Sequence, residues 1–197
     1  MTAYTELQVT TNFSFLRGAS HPGELVEMAA ALGHGAIAVT DRNTLAGVVR
    51  AHVAAKRVGI RLVVGVRLDL SDHASLLCFP TDRAAYGRLA RLLTLGMRRA
   101  PKGECHLARD DVLAYAEGQI FVVLAPPRPE AAFAAALTAF GRAAPRVYLA
   151  ASHLYHGDDA ERIAGLATLA VECGTPLVAT NDVHAHAAAR RPLQDVL

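Results

Sequence analysis

At 197 residues, with 52% hydrophobic side chains and a formal net charge of +2, the chain is long enough to bury a core and too weakly charged to announce a nucleic-acid binder by charge alone. A mean hydropathy of +0.24 comes with no uninterrupted apolar run near the ~20 residues that span a bilayer, and residues 1–6 show no secretory leader. These points exclude a membrane protein and make the cytoplasm the expected compartment, while Cys78, Cys105 and Cys173, far apart and without a Cys-x-x-Cys pair, exclude a disulfide framework and a zinc knuckle.

In chain order, residues 4–10 read as a buried strand that runs into a polar stretch ending at Gly18. Residues 22–32 carry apolar positions at helical spacing, with Ser20 as N-cap and Gly33 as stop. Residues 36–40 (AIAVT) suit a strand buried on both faces, and residues 45–58 a helix closed by Gly59. Residues 61–69 and 75–79 predict two strands in a hairpin around Ser71-Asp72-His73. A helix over 82–95 precedes a polar, mobile loop over 96–106, and a second helix over 110–117 ends at Gly118. Strands at 120–124, 146–150 and 177–180 then alternate with helices at 130–140 and 160–173.

Short buried strands separated by helices imply a mainly parallel sheet with helices outside it. A closed or nearly closed barrel fits best, and an open doubly wound sheet is the alternative, although no Gly-x-Gly-x-x-Gly or P-loop follows any strand. Functional groups gather at the carboxyl ends of such strands. Asp41, Asp182, His184, His186 and His153 all fall there and are metal-ligand types, but the aspartates serve equally well as caps of the segments that follow. His21, His34 and His52 read as surface residues.

The strings at 7–18 (LQVTTNFSFLRG), 38–42 (AVTDR), 59–68 (GIRLVVGVRL) and 179–184 (ATNDVH), in this order, resemble the PHP (polymerase and histidinol phosphatase) domain that opens bacterial replicative polymerases. The stretches at 86–93, 103–106 and 190–197 further resemble the error-prone class of DNA polymerase III alpha subunits, associated with damage-induced (SOS) mutagenesis and translesion synthesis. The resemblance implies an α/β fold, a PHP-like distorted (β/α)7 barrel with metals at the strand ends, and makes residues 1–197 the N-terminal fragment of a longer polymerase. It implies as partners the rest of that chain, DNA through the parent polymerase, and the sliding clamp and translesion accessory proteins, with no membrane.

Carried over by position, the resemblance also implies a degraded site. Gln8 and Thr10 stand where the family has two histidines, Arg17 replaces the aspartate before Gly18, Arg42 follows the retained Asp41 in place of histidine, and Arg67 replaces a glutamate. The histidine expected near Ala74 or Ser75 is offset to His73, and Asp182 with His184 is retained. Arginine keeps its proton and has no lone pair for a cation. The expectation is therefore a non-catalytic scaffold with no cofactor. The alternative is a phosphoesterase or 3'-5' exonuclease holding Mn or Zn on Asp41, Asp182 and His184. Arg17, Arg42 and Arg67 have three readings: pairing with Asp41, Asp182 and Glu6, extension into solvent, or phosphate binding. Arg88, Arg91, Arg98, Arg99 and Lys102, with Arg83, make a locally basic region that is either a solvated helix face or a contact for DNA or a partner.

Overall fold

A computed structural model describes residues 4–196. The chain divides into two compact units, one running up to Val66 and resuming at Thr180, the other comprising Arg67–Ala179.

In the first unit, α1 (Pro22–Ala31) and α2 (Val48–Val58) cover a parallel pair formed by β1 (Ala36–Val39) and β2 (Arg61–Val64). The core joins Val9, Leu25, Val26, Ile37, Val39 and the small faces of α2 at Ala51, Ala54 and Ala55. Gly59 sits past α2 at φ +77°, the left-handed conformation that closes a helix cheaply only as glycine. Ser20 is not the N-cap of α1. The helix starts after His21, whose backbone N–H donates to Glu24 Oε2 at 2.8 Å, while the Ser20 hydroxyl is committed to His186. The expected strand over residues 4–10 shrinks to two isolated bridges, Glu6 with Ile37 and Val9 with Val183. Glu6 explains this: its Oε1 accepts from the Gln8 N–H at 2.7 Å, a local bond that interrupts a regular ladder.

The second unit is built on a five-stranded sheet in the order β3 (Val66–Leu68), β4 (Leu76–Pro80), β5 (Gln119–Val123), β6 (Val147–Ser152), β7 (Leu177–Thr180), whose outer strands each reach one residue beyond it. The strand expected over 61–69 is split at Gly65, leaving β2 and β3 in different sheets. The sheet is mixed: β5 and β6 are parallel, but β4 and β5 are antiparallel. Two helices, α3 (Arg83–Arg99) and α4 (Arg109–Ala114), lie between them, and the chain returns beside its exit, with the Thr81 N–H donating to the Gly118 carbonyl at 3.0 Å. Asp82 caps α3 by accepting from the Ala85 N–H at 2.8 Å. Gly96–Arg99 belong to this helix and not to a mobile loop. A Cβ on Gly96 would lie 2.6 Å from Cys105 Sγ, because the following segment folds back on the helix and the His106 N–H donates to the Gly96 carbonyl. Helices α5 (Ala131–Ala143) and α6 (Asp159–Glu172) complete the unit, with Phe121 and Phe140 edge-to-face in its core, centroids 5.3 Å apart. The three cysteines are free, and burial pushes the Cys78 thiol up. No helix of the described residues is long and apolar enough to cross a membrane.

Candidate functional site

Residues 6–10 lie between β1 and the segment after β7. On one side the Ala38 N–H donates to Glu6 O and the Thr40 N–H to Val9 O; on the other the Thr10 N–H donates to Val183 O and the Val183 N–H to Gln8 O, all at 2.8 Å. This pairing brings Gln8, Thr10, Asp41, Asp182 and His184 into the first unit's strand ends.

Asp41 is 1% exposed. Its Oδ1 accepts from the Thr11 N–H at 2.8 Å and the Ser14 hydroxyl at 2.7 Å, and its Oδ2 from the Thr11 hydroxyl at 2.8 Å. Ser14 Oγ in turn accepts from the Arg42 N–H at 3.0 Å. Burial pushes the Asp41 carboxyl above its ordinary value, against the opposing pull of the Ser14 and Thr11 hydrogen bonds. Asp41 is therefore expected to titrate above the usual aspartate value of about 4. Between the unfolded and the raised folded value the native state holds the extra proton, so this group's contribution to stability grows as pH falls through the folded pKa and is complete below about 4. A carboxyl-carbon NMR titration checks this, with Asp41→Asn removing the resonance; a midpoint at or below 4 contradicts it.

The second carboxylate, Asp182, adopts φ 45°, an uncommon left-handed conformation for a non-glycine residue. Its Oδ1 accepts from Gln8 Nε2 at 2.6 Å and lies 3.4 Å from His184 Nε2. His184 Nδ1 is buried without a hydrogen-bond partner. Glu6, itself buried, accepts from the Tyr4 hydroxyl at 2.7 Å and from the N–H groups of Gln8 and Asn181 at 2.7 and 3.2 Å. Burial and then the Glu6 carboxylate raise the Tyr4 hydroxyl. His186 belongs to a separate cluster, its Nδ1 2.8 Å from Ser20 Oγ and 3.8 Å from Glu24, which also pairs with Arg190 at 2.5 Å. Burial pushes the Glu24 carboxyl up, but the His21 N–H, Arg190 and His186 leave it below the usual range.

The expected ring of ligands is thus only partly assembled. Asp182 and His184 meet, Asp41 is engaged by hydroxyls, and His186 faces Ser20 and Glu24. His153, in the second unit, is stacked edge-on against Tyr155 and lies 4.0 Å from Asp159. Among the described residues no group of three His, Cys, Asp or Glu side chains is arranged to hold a metal. Asp41 and Glu6 take their hydrogen bonds from hydroxyls and amides, Arg17 is exposed, and Arg67 lies in the second unit, bonding Asp69 at 2.9 Å and Ser75 Oγ at 3.4 Å. His73 lies there too, its Nδ1 2.9 Å from the Ala74 carbonyl. His21 and His52 are exposed as expected, whereas His34 is half-buried with its ring edge-on to Tyr4. Of the basic residues on and after α3, Arg88 is held by the Glu117 carbonyl and Arg99 by Asp111, while Arg91, Arg98 and Lys102 are exposed. Sequence reasoning missed Ser14, Ser20 and Glu24 as site residues; the hydroxyl at 14, one tight turn past Thr11, was the available signal for the first.

Residues 6–164 match the family described as PHP domain, and the chain belongs to that family. Within it the chain is 55% identical over 196 residues to an error-prone DNA polymerase of Caulobacter vibrioides, 49% over 194 residues to error-prone DNA polymerase 1 of Agrobacterium fabrum, and 50% over 204 residues to an error-prone DNA polymerase of Brucella abortus. These matches cover 98–100% of this chain and 18–19% of the relatives, so the chain spans under a fifth of their length. In three dimensions it is similar to an amidohydrolase from Chromobacterium violaceum solved with bound sulfate and no metal, with a TM-score of 0.68, 18% identity, and coverage of 92% of this chain and 87% of that one. It is also similar to a protein described as a metal-dependent phosphoesterase from Bifidobacterium adolescentis, with a TM-score of 0.67, 17% identity, and coverage of 91% and 87%. At such identities the likeness speaks to fold alone, and the fold is the PHP-like α/β class expected from the sequence.

Proposed function

We propose that this chain is a non-catalytic PHP domain of an error-prone DNA polymerase, a scaffold within a longer chain whose strand-end site is held together by hydrogen bonds in place of metal ions. The observation that carries this reading is the engagement of Asp41: donors from Thr11 and Ser14 occupy both sites on its Oδ1 and one on its Oδ2, so the carboxylate is committed to the fold before any cation could compete for it. The remaining donor set does not fit a metal cluster either, because Asp182 is engaged by the Gln8 amide, and a multinuclear site needs several free anionic or imidazole ligands for each ion. In this reading Gln8, Thr10, Arg17, Arg42 and Arg67 mark vestigial ligand positions. The parent polymerase performs damage-induced translesion synthesis in the cytoplasm, and its partners are the rest of its chain, DNA, the sliding clamp and accessory factors.

A reduced phosphoesterase site on Asp41, Asp182 and His184 has one observation in its favour, the unpartnered Nδ1 of His184. One experiment separates the two. After equilibration with Mn2+ or Zn2+ and exhaustive dialysis, elemental analysis is expected to find substoichiometric metal, and assays with p-nitrophenyl phosphate and a 3'-labelled oligonucleotide are expected to find no metal-dependent hydrolysis. One retained ion per chain, with hydrolysis lost in Asp182→Asn, would refute the scaffold reading.

A further inference from the structure

We infer that the outer stripe of α3 is a docking surface for the phosphodiester backbone of a nucleic acid. Residues 83–102 contain six arginines and lysines and no aspartate or glutamate, although the whole chain is only +2, so everything outside this segment is net negative. The helix divides these cations by function. At about 100° per residue, Arg88 and Arg99 fall on the edge of the side that buries Leu89, Leu92 and Leu93, where Glu117 and Asp111 engage them. Arg83, Arg91 and Arg98 share the opposite side within an arc of about 80°, and all three are exposed. Among the described residues none of the three is in an ion pair. Gly87 and Thr94 fall within the same arc and leave it low, so that a strand could approach the helix closely. Lys102 extends the exposed charge beyond the helix end.

Three like charges along one face raise the local positive potential, and a polyanion neutralises it. A membrane surface fits less well, since interfacial helices insert an apolar face and that of α3 is already used in the unit's core. The choice of nucleic acid over an acidic protein rests on the polymerase reading above; the stripe and its charge do not.

Fluorescence anisotropy of a labelled 30-nucleotide oligo-dT against the 197-residue chain tests the inference. Three to four phosphate contacts predict a slope of log affinity against log salt of about −2 to −3, a loss of roughly 15- to 60-fold between 50 and 200 mM salt. The triple variant R83A/R91A/R98A is expected to abolish that binding, and R83K/R91K/R98K to retain most of it, because phosphate reads charge before geometry. R61A/R128A/R142A, which removes the same charge from exposed positions elsewhere, is expected to bind like the parent. Absence of binding at 50 mM salt, equal losses in the two alanine triples, or binding to phosphatidylserine vesicles without binding to the oligonucleotide would overturn it. The metal and hydrolysis assays above are read on separate samples, so either conclusion can fail alone.

Discussion

Gly18→Ala is expected to cost about 4 kcal/mol or more, enough to leave much of the protein unfolded against a typical stability of about 5–15 kcal/mol. The reason is close approach rather than backbone twist. A Cβ at position 18 would lie 2.2 Å from the Thr11 carbonyl oxygen, 2.4 Å from its carbon and 2.8 Å from the Thr10 oxygen. These are backbone atoms, and they cannot move singly. The Thr11 carbonyl accepts from the Ser14 N–H at 3.0 Å, its own N–H is held by Asp41, and the Gly18 N–H donates to the Ser14 carbonyl at 3.3 Å. Urea denaturation followed by far-UV circular dichroism measures the effect, and a midpoint unchanged from wild type would show that the turn is far softer than its packing implies.

Asp41→Ala is expected to destabilise by about 3 kcal/mol, since it strands one buried N–H and two buried hydroxyls at once. Asp41→Asn should cost about half as much. Its carbonyl oxygen still accepts from the Thr11 N–H and Ser14, and its amide can donate to Thr11 Oγ1, which also accepts from the Phe13 N–H at 3.1 Å. Gly47 closes the other side of the same carboxylate, where a Cβ would meet Oδ2 at 2.5 Å. A residue kept chiefly as a metal ligand behaves in the opposite way: removing a buried acid with no structural partners leaves the metal-free protein as stable or more so. Equilibrium unfolding of both variants in EDTA distinguishes the cases, and wild-type stability for Asp41→Ala would show that the hydrogen bonds contribute little.

The parts of this molecule that could be read from the sequence are those decided by local pattern. The apolar runs at β1 and β7 agree with the structure to within a residue, and the Gly59 stop falls where propensity puts it. What escaped depends on partners far away in the chain. Ser20 looks like a cap until His186 claims its hydroxyl, and Gly96 looks like a loop residue until Cys105 and Leu107 fold against it. At the site, residue type alone does not say which groups hold Asp41. Arginine was the conspicuous candidate because it carries charge. The atoms that hold Asp41 are two hydroxyls and an amide, groups common enough in any loop to carry no signal until the backbone brings them within reach.

The division of the chain into a continuous unit and a discontinuous one has a consequence for how it is made. Arg67–Ala179 is uninterrupted, so every strand of its sheet is available once the ribosome has passed β7, and it can fold as it emerges. The other unit begins earlier yet finishes later. Gln8 must wait for Asp182 across 174 residues, and Ser20 for His186 across 166. Until then Val9 and the strand-end acids stand with one flank open, and closing so long a loop carries an entropic cost that a folded insert shortens. Residues 6–10 are thus completed by a segment synthesised well after them, and their open edge needs protection while it waits.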